Sequence, residues 1–200
     1  MTTARRRAMI PVAILALGLA VSACSGSAGD AALVGNNHVT EASLNSNVNE
    51  VLVAQGFSEN KSDPELVKNI LNWLVVMDLL DQVAADNNVA VTQGEIDREY
   101  AAEVKSAGSA AGLEAAYLKQ GVAPSQISER IRFALTAQKV AKAVAPNATP
   151  EQATADLVTA VVAKSKAVNP EVNPRFGTWD SENLQLGETP SDVSTVLPAQ

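Results

Sequence analysis

Residues 62–100 read SDPELVKNILNWLVVMDLLDQVAADNNVAVTQGEIDREY, and this stretch decides the fold. Asp63 is an N-cap residue, and Pro64 after it loses nothing at the first helical position, where its missing N–H has no partner anyway. Leu66, Ile70, Trp73, Leu74, Met77, Leu80 and Ala84 then recur at helical spacing as one apolar stripe. Val67, Leu71, Val75, Leu79 and Val83 make a second stripe on the other side. Polar residues interrupt only at Lys68, Asn69, Asn72, Asp78, Asp81 and Gln82. A helix apolar most of the way round must be wrapped by neighbours. The stretch is therefore expected to be a hub helix. Asp78 and Asp81, with charges on both flanks, exclude a membrane span. Asn87 and Asn88 favour a left-handed end, and Val89-Ala90-Val91 leads to Thr92-Gln93-Gly94-Glu95, a capping box that starts a second helix.

Composition points the same way. A length of 200 residues fits one domain with tails. With 46 % hydrophobic but only 4 % aromatic residues, the core must be built from Ala, Val and Leu, which favours closely packed helices over a large sheet. Three of the 15 basic residues, Arg5, Arg6 and Arg7, lie in a leader that holds no acid; without them, 12 cations face 22 acids, a net charge of −10. That balance speaks against nucleic acid or an anionic lipid surface as the main partner.

The chain has one Cys and one His, so no zinc-ligand set, CxxC or HExxH can be assembled, and no glycine-rich phosphate loop is present. A Ser-His-Asp triad would have to use His38, in a hairpin beside Asn36 and Asn37, whereas triad geometry needs a buried, oriented His. The expectation is a protein that is not an enzyme and uses no cofactor and no metal.

Residues 1–23 have the form of a signal peptide: Arg5-Arg6-Arg7, then an apolar run over residues 9–20 too short to span a bilayer comfortably. The run ends in Val21-Ser22-Ala23-Cys24, which resembles the lipobox of bacterial lipoproteins. That resemblance implies diacylglyceryl transfer to the Cys24 thiol, cleavage before it, and an amine open to acylation. Two or more acyl chains anchor stably where one is marginal. Residues 24–30 form a Ser/Gly/Ala tether that reaches roughly 20–25 Å even when extended. The expected location is the extracytoplasmic face of the cell membrane, held by lipid.

Outward from the hub, Ala31-Ala32-Leu33-Val34 and His38-Val39-Thr40 flank Gly35-Asn36-Asn37, a hairpin signal. Thr40 can cap a helix with Leu44, Val48, Val51 and Leu52 on one face, ending at Gly56. Beyond the hub, residues 94–105 form an amphipathic helix, residues 106–112 a small-residue linker, and residues 113–120 a short helix stopped by Gly121. A longer helix starts at Pro124 or Ser125 and breaks at Pro146. Thr149-Pro150-Glu151-Gln152 restarts the chain with both a capping box and a proline, and Asn169-Pro170 ends that helix. Prolines around Val172 allow an edge strand or a turn there, with Phe176 and Trp179 as anchors. Residues 181–200 are polar and are expected to be disordered.

The order of these parts resembles the N-terminal chaperone domain of SurA-type periplasmic foldases. The matching residues are Ala32-Leu33-Val34-Gly35-Asn36-Asn37-His38-Val39-Thr40, Val91-Thr92-Gln93-Gly94-Glu95-Ile96-Asp97 and Leu118-Lys119-Gln120-Gly121, followed by residues 127–134. The resemblance covers residues 31–180 and implies a single, mainly α domain around the hub, with a small N-terminal hairpin. In full-length relatives a parvulin-type prolyl isomerase domain follows near Pro146 to Pro150; the residues left here are too few for it. The resemblance thus implies a chaperone that binds unfolded or newly exported polypeptides without isomerase activity. Its candidate peptide contacts are Trp73, Tyr117, Phe133 and Trp179, which also fit plain core packing. The alternative is a scaffold or accessory lipoprotein that holds one specific cell-envelope protein.

Overall fold

The computed structural model describes residues 29–59 and 61–188. β1 (Asp30–Val34) and β2 (Asn37–Thr40) make the hairpin, with Leu33 opposite His38 and Val34 opposite Asn37. Gly35 turns the chain at φ +68°, a conformation that side chains with a Cβ avoid. Thr40 Oγ1 accepts from the Ser43 amide at 3.1 Å and starts α1 (Glu41–Ala54), which buries Leu44, Val48, Val51 and Leu52 as its spacing predicts.

The hub is α2 (Pro64–Asp86), capped by Asp63 Oδ1 accepting from the Leu66 amide at 3.0 Å. Then come α3 (Gln93–Ala107), α4 (Ala110–Leu118), a single 3-10 turn over Pro124–Gln126, α5 (Ile127–Val144) and α6 (Pro150–Val168). The capping box at Thr149/Gln152 is formed, while at the start of α3 the Glu95 carboxylate accepts from both the amide and the hydroxyl of Thr92. β3 (Glu171–Val172) pairs antiparallel with β1, so the hairpin becomes a three-stranded sheet of order β2-β1-β3. β4 (Trp179–Asp180) and β5 (Gln185–Leu186) form a second, two-stranded sheet. The protein is mostly helical, as its sequence predicts.

α2 packs against α1, α5, α6, the hairpin and β5, so the hub is wrapped on most sides. Leu71, Val75 and Leu79 are fully buried in the main core with Val34, Leu44, Leu52 and Val140. A second, smaller core of Ile96, Leu113, Val122, Ile127 and Ile131 lies where α3, α4 and the start of α5 meet. Four of the six polar interruptions of the hub, Asn72, Asp78, Asp81 and Gln82, are attachment points. Gln82 Nε2 donates to the Val34 carbonyl at 3.0 Å, and Asn37 Nδ2 donates to Asp78 Oδ1 at 2.8 Å, which together fix the hairpin. Asp81 takes both terminal nitrogens of Arg132, at 2.8 and 3.0 Å, and so fixes α5. Asp86 pairs with Lys164 of α6.

Three expectations are corrected. The linker over residues 106–112 shrinks to one turn, because α3 continues to Ala107 and Ser109 Oγ caps α4 by accepting from the Gly112 amide at 3.0 Å. Asp30 belongs to β1, opposite Thr40, and not to the tether. The chain stays folded past Asp180 as far as Glu188, and Leu186 is only 6 % exposed. Its order comes from contacts distant in sequence: Asp180 Oδ1 accepts from the Glu182 and Asn183 amides, and β5 is held by the hub. Cys24, the leader and residues 189–200 lie outside the described residues. Among the described residues no helix is long and apolar enough to cross a membrane.

Candidate functional site

Trp73 sits in the first half of α2 with its ring half-buried against the main core. Across from it α5 presents Arg130, whose guanidinium carbon lies 3.8 Å from the centroid of the Trp73 ring. The Asp81–Arg132 clamp holds α5 against the hub two residues further on. A cation on the face of an indole is attracted by the negative face of the ring. The stack carries an unusual deficit. Among the described residues, Trp73 Nε1 and Arg130 Nε are the buried side-chain polar atoms with no hydrogen-bond partner. Burial pulls Arg130 down to about 10, still far enough above neutrality to leave it cationic.

Tyr117 of α4 completes the group from the second core. Its hydroxyl donates to Glu103 Oε2 at 2.8 Å, and burial followed by that bond pushes the phenol up to about 12. Arg130 and Tyr117 are close enough for each to feel the other's charge. Phe133 lies one helical turn after Arg130 on α5 and packs against the main core. Trp73, Arg130, Tyr117 and Phe133 therefore follow the seam between the two cores. Each ring has one side in the protein and part of its surface open to solvent.

Trp179 is not part of this group. Its Nε1 donates to Ser165 Oγ at 2.8 Å, and that fully buried hydroxyl lies 3.0 Å from Ser181 Oγ. The indole pins β4 to the end of α6, so its polar handle is already used. The four aromatics singled out in the sequence thus divide into three at the seam and one structural anchor. Arg130, missing from the sequence-based set, joins them. A signal for it exists: no acid stands three or four positions from Arg130, whereas Arg132 has Glu129 three positions before it.

Two clefts lie elsewhere. One of about 660 Å³ separates α1 from the start of α2 and is lined by Asn45, Val48, Asp63, Lys68, Arg175 and Phe176. Phe57, 45 % exposed with Lys61 stacked 3.3 Å over its ring, precedes that cleft in the chain. The other, about 470 Å³, runs between α5 and α6 and is lined largely by alanines and prolines, with Leu157. Among the described residues no group of three or more His, Cys, Asp or Glu is placed to hold a metal. His38 Nδ1 lies 2.7 Å from Asp30 Oδ2 on the hairpin. Comparison of the chain with protein-family models, with curated proteins and with solved structures finds no match.

Proposed function

We propose that this protein is a lipid-anchored, extracytoplasmic holdase: it binds unfolded or newly exported polypeptides and has no isomerase activity. The observation that carries the reading is the seam, where Trp73, Arg130, Tyr117 and Phe133 offer partly open apolar and cationic surface on rigid helices. Aromatic faces bind apolar side chains of varied sequence, and a frame fixed by buried leucines does not collapse onto them. A net charge of −10 on the chain after the leader keeps such a surface from self-association. The lipobox-like end of the leader and the short tether support placement close to the membrane, where exported chains emerge.

The second reading, a scaffold for one envelope protein, draws on the 660 Å³ cleft, whose charged lining suits one complementary folded surface better than varied clients. Client range separates the two. Cross-linking the full chain to a panel of unrelated unfolded proteins should trap all of them if it is a holdase. Capture of one folded envelope protein at fixed stoichiometry, with none of the panel trapped, selects the scaffold.

A further inference from the structure

We propose that Arg130, stacked on Trp73 at the seam between the two cores, is the receptor for a carboxylate carried by the bound polypeptide. The inference rests on the polypeptide-binding reading above and names the chemistry that the site selects.

Three of the other partly buried cations of the helical domain are matched to carboxylates, and Lys68, at the cleft beside α1, is not. Arg132 has Asp81 and Glu129, Lys139 has Glu95, and Lys164 has Asp86. This is what a chain with 22 acids and 15 bases should manage, since carboxylates are plentiful. Among the described residues Arg130 has no ion pair and no hydrogen bond to its guanidinium, and its close contact is the Trp73 ring. A half-buried charge without a counter-charge loses hydration and gains little in return.

The stack determines where a ligand can sit. Cation–π contact uses the flat face of the guanidinium, whereas its N–H donors point outward in the plane. Nε is shut off from solvent, which leaves the two Nη atoms as the donors for a ligand. Their shared edge is a fork that matches the two oxygens of one carboxylate. Trp73 Nε1 is likewise without an acceptor, but it is shut off from solvent, so the receptor is the guanidinium alone.

The surroundings narrow the class further. Trp73 against the guanidinium, Phe133 one turn further along α5 and Tyr117 of the second core supply partly open apolar surface around Arg130, which suits a carboxylate on a hydrophobic peptide. Glu99 and Glu103 stand close to Tyr117 and disfavour a multiply charged anion such as a polyphosphate or nucleic acid. The carboxylate can come from a chain terminus or from an Asp or Glu side chain, and the test separates these sources.

The experiment is calorimetric titration of the full chain with three acetylated apolar hexapeptides. One has a free C-terminal carboxylate, one is its amide, and one is the amide with a single internal Glu. At least one acid peptide should bind about tenfold tighter than the amide, the scale of a charge-assisted hydrogen bond. Arg130→Gln should abolish that preference, and Arg130→Lys should keep part of it. The acid-to-amide ratio on the unchanged protein stands even if a variant folds poorly. Equal binding of all three peptides overturns the inference, as does a preference that survives in Arg130→Gln. If no peptide binds yet the full chain still delays aggregation of unfolded proteins, the carboxylate receptor is wrong and the holdase reading stands. If neither effect is seen, both fail.

Discussion

The side-chain oxygen of Asn72, in the hub helix, accepts a hydrogen bond from the backbone amide of Leu186 at 2.8 Å, across 114 residues of sequence. The same side chain donates to the Leu184 carbonyl at 3.4 Å. Leu184 is held at φ +53°, in the left-handed region that costs a residue with a Cβ. One polar break in an apolar helix thus fastens the last strand and helps offset a strained backbone. Asn72→Ala should destabilise the protein by about 1–3 kcal/mol, because it leaves the Leu186 amide without its partner. Asn72→Asp, which keeps the acceptor, should cost less. Hydrogen exchange at the Leu186 amide checks the cause, since exchange there should rise before the rest of the core loosens.

Leu74, 8 % exposed in the hub, tests whether that helix is wrapped. Leu74→Ala should cost about 2–5 kcal/mol, the range for deleting a buried leucine side chain. Lys68→Ala, at a half-buried polar position of the same helix, should change stability by less than about 0.5 kcal/mol. Equal shifts in the melting curves would contradict the packing described.

Helix starts are legible in the sequence because capping chemistry is local. Asp63-Pro64, Thr92 with Glu95, and Thr149 with Gln152 each contain donor and acceptor within four residues, and each begins a helix as expected. The fold of residues 181–188 is not legible, because its partners Asn72 and Ser165 lie far back in the chain. Nor does a polar tail composition reveal that Leu186 will be buried. The candidate site was legible in part. Aromatics can be found by type, but which of them meet depends on how α4 and α5 pack. The grouping of Trp73 with Arg130 and the separation of Trp179 emerge only in three dimensions.

Glu95 gives a pH dependence with a definite sign. Hydrogen bonds from Lys139, then from the Thr92 amide and hydroxyl, lower its pKa from the ordinary 4.5 to about 2. The unfolded chain therefore takes up a proton near 4.5 while the folded one does not, so this contribution is full above that pH and fades as pH falls toward about 2. The melting temperature of the unchanged protein should exceed that of Glu95→Gln at pH 6, and the gap should narrow steadily from pH 5 to pH 2. A gap constant across that range would contradict the assignment.

Membrane attachment is tested at Cys24, which follows Val21-Ser22-Ala23 at the end of the apolar run. Cys24→Ala should leave the preprotein uncleaved by the lipoprotein peptidase and unlabelled by fatty acid. Processing of the variant at the same site would rule out the lipoprotein reading.

The most direct test of the proposed function is a paired measurement on the full chain. Light scattering follows the aggregation of an unfolded test protein, and fluorescence follows a refolding step limited by proline isomerisation, which takes tens of seconds or longer uncatalysed. The predicted result is slower aggregation at stoichiometric amounts of this protein, with weak affinity because the client must be ordered as it binds, and an unchanged proline-limited rate. Faster proline-limited refolding, or undisturbed aggregation alongside tight capture of one envelope protein, would contradict it.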